Sequence, residues 1–195
     1  MTFGVPRAAA ALCLVLACAG QSLPSSTHSV VDPSELYPLH AGNAWSYDVD
    51  TGEASTTLAI IRVEAFDGHI AEVHTGRVVV HYELLADGIR VPPGNEWLVR
   101  APLVEGATWP ARGGRTARLI STDTTAKTPV GTFDRCVEVL ETGGKLELEV
   151  RTVYCPGVGP VSLGSTMRSN VSDRAVTVSA KLRGYDVSPV PSPDR

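Results

Sequence analysis

His69, Glu72, His74, His81 and Glu83 stand close together in one short stretch of the chain. Imidazole and carboxylate groups ligate divalent metals and move protons, so these residues are the first candidates for chemistry. Whether they meet depends on the elements that carry them. Gly76-Arg77 separates two runs that alternate apolar and polar residues, which predicts strands over His69 to Thr75 and Arg77 to Leu84 joined by a two-residue turn. This register sets Thr75 opposite Val78, His74 opposite Val79, Glu72 opposite His81 and Ile70 opposite Glu83. Ala71, Val73, Val78, Val80, Tyr82 and Leu84 then form the core face, and a slip of one residue would bury the charges instead. Two readings follow for the charged face. It is either solvated, with a cross-strand Glu-His pair worth at most about 1 kcal/mol, or a surface metal site of Glu72, His74 and His81 serving a hydrolase. No HExxH or comparable ligand spacing supports the metal. The expectation is therefore no metal, no cofactor and no catalytic residue.

The remaining nucleophiles give the same answer. There is no GxSxG elbow and no SxxK pair, and a hydroxyl without a positioned base is unreactive. Gly157-Val158-Gly159 lacks the lysine and helix of a phosphate loop and reads as a turn. Asn170-Val171-Ser172 matches a glycosylation sequon by chance. His28 and His40 offer nothing specific.

Four cysteines are present. Cys13 lies in an apolar run that follows Arg7, and Cys18 ends the sequence Val15-Leu16-Ala17-Cys18. A positive residue, a short apolar segment and small residues before a cysteine describe a secretory signal over residues 1–17. A spanning helix needs roughly 20 apolar residues, more than Ala8 to Ala19 supplies. The ending resembles the lipobox of bacterial lipoproteins, whose cysteine is lipid-modified and becomes the mature N-terminus. Cys18 is thus the expected lipid attachment, for example of palmitate. Ala19, where an aspartate is absent, resembles lipoproteins sent to the outer membrane.

That leaves Cys136 and Cys155 as an even pair in a disulfide-permissive compartment. They are either bonded or two partly buried thiols. Folding the chain at Gly143-Gly144 as a two-residue turn puts Cys136 opposite Arg151 and Cys155 opposite Thr132, roughly 13 Å apart along the strand. A disulfide tolerates Cα separations of only about 7 Å, so a bond requires a bulge, a longer loop or a bend at Pro156.

Lys and Arg number 17 against 21 Asp and Glu, a net charge of -4 that leaves no basic footprint for nucleic acid. Residues 18–36 are Ser/Pro-rich and read as a flexible tether after the lipid, and residues 188–195 as a disordered tail. Between them, residues 37–187 form one β-rich domain. Strands are expected at Trp45 to Val49, Thr57 to Ala65, His69 to Thr75, Arg77 to Leu84, Gly88 to Val91 and Glu96 to Arg100. Further ones are expected at Arg115 to Thr122, Arg135 to Glu141, Lys145 to Tyr154, Pro160 to Leu163 and Arg174 to Val187. In the Lys145 strand Leu146, Leu148, Val150 and Tyr154 share one face. In the last strand Val176, Val178, Ala180 and Leu182 do so, until Gly184 marks a bulge. One wet face per strand excludes a parallel sheet covered by helices. The expected fold is all-β, a curved antiparallel sheet or partly open barrel, with a two-sheet sandwich as the alternative.

Four motifs in order resemble a group of uncharacterised bacterial secreted proteins and lipoproteins. They are Tyr37-Pro38-Leu39-His40-Ala41-Gly42-Asn43-Ala44-Trp45-Ser46-Tyr47, then Pro102-Leu103-Val104-Glu105-Gly106-Ala107-Thr108-Trp109, then Gly131-Thr132-Phe133, then Pro156-Gly157-Val158-Gly159. The resemblance implies a mostly antiparallel sheet and no established reaction. Trp45 and Trp109 are large enough to be core anchors. The function expected is that of a non-enzymatic protein, lipid-anchored in the bacterial cell envelope, at the outer membrane, whose curved sheet binds a lipid or other apolar ligand. The alternative is an interaction module that joins an envelope partner protein by strand addition.

Overall fold

The computed structural model describes Met1 and residues 31–145, 147–168 and 175–188. The signal segment, Cys18, Leu146, the sequon at Asn170 and most of the C-terminal tail lie outside these residues.

Alternation of apolar and polar residues, broken by glycine turns, produces twelve antiparallel strands. They are β1 (Ala44–Asp50), β2 (Thr57–Phe66), β3 (Ile70–Thr75), β4 (Val78–Leu85), β5 (Gly88–Val91), β6 (Glu96–Arg100), β7 (Thr108–Ala111), β8 (Arg115–Thr128), β9 (Gly131–Gly143), β10 (Leu148–Cys155), β11 (Gly159–Arg168) and β12 (Ala175–Asp186). Their order in the single sheet is β6-β5-β4-β3-β2-β1-β12-β11-β10-β9-β8-β7. Each strand therefore pairs with its neighbours in sequence, and β1 pairs with β12. Only β6 and β7, the two ends of the order, are not hydrogen-bonded to each other. The sheet is a barrel with one unsealed seam. Side chains bridge that seam: Trp97 and Val99 of β6 pack in one core cluster with Trp109 and Ala111 of β7. The barrel, and not the sandwich, is the architecture.

Because the strands run up and down, the turns β1–β2, β3–β4, β5–β6, β7–β8 and β9–β10 gather at one end. The other end is plugged by the segment before β1. Pro33–Leu36 form a 3₁₀ turn whose N-cap, Asp32, accepts from the Ser34 N–H at 2.8 Å. Leu36 is fully buried, in the core cluster that also holds Trp97, Trp109 and Tyr154. Tyr37 stacks edge-on against Trp45 and Tyr82, with centroids 5.0 and 5.9 Å apart. Asn43 donates to the Pro38 carbonyl at 2.7 Å and accepts from the Ser188 N–H at 2.9 Å. The packed structure thus reaches into residues that composition assigned to the tether, since a short apolar turn among serines and prolines carries no periodic signal.

The β3–β4 hairpin has the expected register, Glu72 opposite His81 and Ile70 opposite Glu83. The β9–β10 hairpin corrects the other expectation. Arg151 pairs with Leu140, not Cys136, and Tyr154 with Val137. Gly143, Gly144 and Glu147 all take positive φ, which makes the connection longer than a two-residue turn. That register sets Cys155 beside Cys136, and the two are bonded with Cα atoms 4.3 Å apart, the spacing of directly opposed residues in a non-hydrogen-bonded pair. The bulge at Gly184 is present: Ser46 faces Gly184 while Tyr47 faces Leu182.

Candidate functional site

The residues that drew attention in the sequence lie on the outside of the barrel. His74 Nε2 is 2.6 Å from Glu72 Oε1, and His81 Nε2 is 3.6 Å from Glu72 Oε2. Both imidazoles thus turn to one carboxylate, and the Glu72 pKa is held low, chiefly by the hydrogen bond to His74. Alongside, Glu83 accepts from Arg90 Nε at 2.6 Å and meets His69 at 2.9 Å. The arrangement is a row of imidazole and guanidinium groups against carboxylates, within β3 and across to its neighbours, and among the described residues no group of three or more His, Cys, Asp or Glu side chains is placed to hold a metal ion. It positions charges on a wet face and leaves no carboxylate or imidazole aimed at a substrate pocket.

The inward face tells more. Residues in register across neighbouring strands point the same way, so the strand register lays out the inward wall row by row. The first row runs Val49, Ala180, Leu163, Thr152, Val139 and Leu119 from β1 through β12 to β8. The next, nearer the unplugged end, runs Val178, Ser165, Val150, Glu141, Ala117 and Trp109. At the rim stand Val176, Met167 and Leu148, followed by Arg115 and Ala111. Exposure along β12 climbs steadily toward the rim. Leu182 is 0% exposed, Ala180 and Val178 are half-buried, and Val176 is 51% exposed. The inward residues of β12 thus stay apolar while their exposure rises toward the rim, away from the plugged end.

The same rows become charged toward the seam. Glu141 continues the face of Val137 and Val139, is 6% exposed, and accepts from Arg115 Nε and Nη2, each at 2.9 Å. Burial pushes its pKa up, and the Arg115 and Arg112 guanidinium groups pull against that shift. Breaking such a pair by removing one partner typically costs about 3–5 kcal/mol. Burial raises the pKa of the Tyr82 phenol of β4, and the Arg112 charge opposes that shift. Burial likewise raises the pKa of Tyr154, with the Glu141 charge adding to it. Glu96 of β6 accepts from the Gly113 N–H at 3.1 Å and ties the two edges together.

Along the free edge of β7 runs a cleft of about 400 Å³, with Glu96, Arg115 and both faces of β7 in its wall. Trp109, 3% exposed, lines it. Its indole Nε1 is buried without a hydrogen-bond partner, alone in this among the described side chains. An unmet buried donor of this kind costs about 1–3 kcal/mol. Sequence reasoning took Trp109 as a core anchor and passed over Arg112, Arg115 and Glu141. One signal was available: Val137, Val139 and Glu141 alternate on one face, and an acid on a core face asks for a partner.

The outward face carries Arg62, Glu64, Arg118, Arg151 and Arg183, all exposed. Exposed apolar residues, Leu58 and Ile60 of β2 and Val79 of β4, share that face.

No protein-family model matches the sequence, and no curated protein does. Among solved structures, the chain is similar to a protein assigned as exported, with a YmcC-like fold, from Bacteroides fragilis, at 14% identity, covering 77% of this chain and 98% of that one with a TM-score of 0.45. It is also similar to a protein assigned as a lipoprotein from Parabacteroides distasonis, at 12% identity over 77% of this chain and 98% of that one, TM-score 0.41. Likeness at this level transfers no activity.

Proposed function

We propose that the chain is a non-catalytic, lipid-anchored protein of the bacterial envelope, at the outer membrane, whose barrel takes an apolar or amphipathic ligand through its unplugged end. One observation carries this reading: the inward wall remains apolar while its exposure rises from Leu182 to Val176. Apolar side chains that face inward and stay wet gain by burial, about 25 cal/mol per Å² covered. Residues 19–195, purified without detergent, should bind a fluorescent palmitate analogue saturably. Val178→Asp, which sets a charge in the middle of that wall, should weaken binding at least tenfold. Wild-type protein that shows no saturable binding overturns the proposal. Cys18→Ser should move the full chain from the membrane to the soluble fraction, and retention in the membrane would remove the anchor from the reading.

The unpaired edges of β6 and β7 favour a second reading, strand addition by an envelope partner. Pro110 within β7 removes one backbone donor from that edge, and the indoles of Trp97 and Trp109 pack beneath it, which blunts the edge as natural sheets do. Cross-linking in cells that traps a partner through a residue of β7 would support it over the ligand reading.

A further inference from the structure

We infer that the cleft along the seam binds the anionic oxygen head group of the ligand, with Trp109, Arg112 and Arg115 as its donors. The inference rests on the proposed lumen and names the class of molecule that fits it: an acyl chain ending in a carboxylate or phosphate.

Three independent observations meet here. First, the Trp109 N–H is buried and has no acceptor among the described residues. An indole N–H only donates, so what it lacks is an oxygen. Second, the neighbouring cations exceed what the protein uses. Arg115 directs Nε and Nη2 to one oxygen of Glu141, and its Nη1 lies toward Gly113, where even an added Cβ would come within 3.3 Å. Arg112 directly follows Ala111 of the cleft wall, is exposed and forms no ion pair with any described residue. Third, the lumen row that contains Trp109 continues through the small Ala117 to Glu141 and then to Val150, Ser165 and Val178. A molecule with its head at the seam therefore has Val150 and Val178 for its tail further along the same row. A carboxylate or phosphate supplies acceptors to the indole and to a guanidinium at once, and charge-assisted bonds of this kind are about twice as strong as neutral ones. Glu141 takes a positioning role, holding Arg115 across the small Ala117.

The test compares oleate with oleyl alcohol, the same chain without the charge, on purified residues 19–195 by calorimetry, with acetate and inorganic phosphate as competitors. Oleate should bind roughly tenfold tighter than the alcohol. Arg112→Gln and Trp109→Phe should each bring that ratio toward one. Arg115→Gln strips Glu141 of its partner and risks the fold, so the exposed Arg112 and the isosteric Trp109→Phe are the informative variants, each with its unfolding midpoint measured. Acetate and phosphate at millimolar concentration should not displace oleate. Equal affinity for oleate and the alcohol, or variants that weaken both alike, overturns the head-group site and leaves the lumen standing. Phosphate that binds alone and is lost in Arg112→Gln, with neither chain compound bound, keeps the anion site and removes the lumen. Binding of none of these overturns both.

Discussion

Glu83 and Glu141 are both glutamates in strands, and their surroundings push them in opposite directions. On the outer face, Glu83 accepts from Arg90 and then His69, and its pKa is held below the ordinary value. A carboxylate lowered on folding stabilises the fold above its unfolded pKa, about 4.3, and loses that contribution as pH falls through the folded value. Glu83→Gln should therefore be less stable than wild type at pH 7, and the gap should close as urea titrations move below pH 4. A gap that stays constant with pH would mean the ion pairs contribute nothing. Glu141 runs the other way, because burial raises it. Its part is fully present below the ordinary carboxylate range and fades as pH rises through the raised value, to the extent that Arg115 does not compensate. The pairing of Glu72 with His81 was legible from alternation alone. The pairing of Glu141 with Arg115 was not, because Arg115 follows two glycines and a strand that the sequence hides.

That hidden strand is β7, Thr108–Ala111. Proline inside a run argues against a strand, and Pro110 sits in the middle of this one; it is tolerated because β7 is an edge. β8 and β9 also run further than expected, to Thr128 and from Gly131. Their outer halves are rich in threonine and charge, without an apolar alternation to read. The β9–β10 loop shows a different limit. Gly143-Gly144 is a sound turn signal, but the positive φ at Glu147 extends the loop, and a glutamate gives no warning of left-handed backbone. The longer loop is what brings Cys136 to Cys155. Closing a segment with a sequence separation of 19 stabilises by about 3 kcal/mol in the chain-entropy account. The double variant Cys136→Ser/Cys155→Ser should lose about that much in urea unfolding at neutral pH while keeping its β-sheet circular dichroism. A loss below about 0.5 kcal/mol would show that the ladder around the bond fixes the register unaided.

At the scale of the molecule, closure and plugging solve one problem from two sides. An up-and-down barrel hides its strand edges by joining first strand to last, and β1 with β12 does so here, moving the unavoidable break to β6 and β7 in the middle of the chain. A barrel of twelve strands is also too wide to be filled by its own wall alone, and in this one the segment before β1 enters one end. The 3₁₀ turn touches β5 on one side and β10 and β11 on the other, strands far apart in the sheet order, so it spans the lumen. Glycine 157 donates its N–H to the Glu35 carbonyl at 2.8 Å and fastens the turn to the β10–β11 connection. The plug completes the core cluster that holds Trp97, Trp109 and Tyr154, and it leaves the apolar residues at the opposite end of β12 exposed. Leu36, fully buried at its tip, is where this can be tested. Leu36→Ala should cost about 2–5 kcal/mol, the range for a leucine removed from a packed core, read as a shift in the urea midpoint. If the plug is separate from the ligand end, palmitate-analogue affinity measured well below that midpoint should change by less than about threefold, because 1.4 kcal/mol is needed for tenfold. A variant that folds normally but loses its ligand would place the binding site at the plugged end, beneath Leu36, and not at the rim formed by Val176 and Met167.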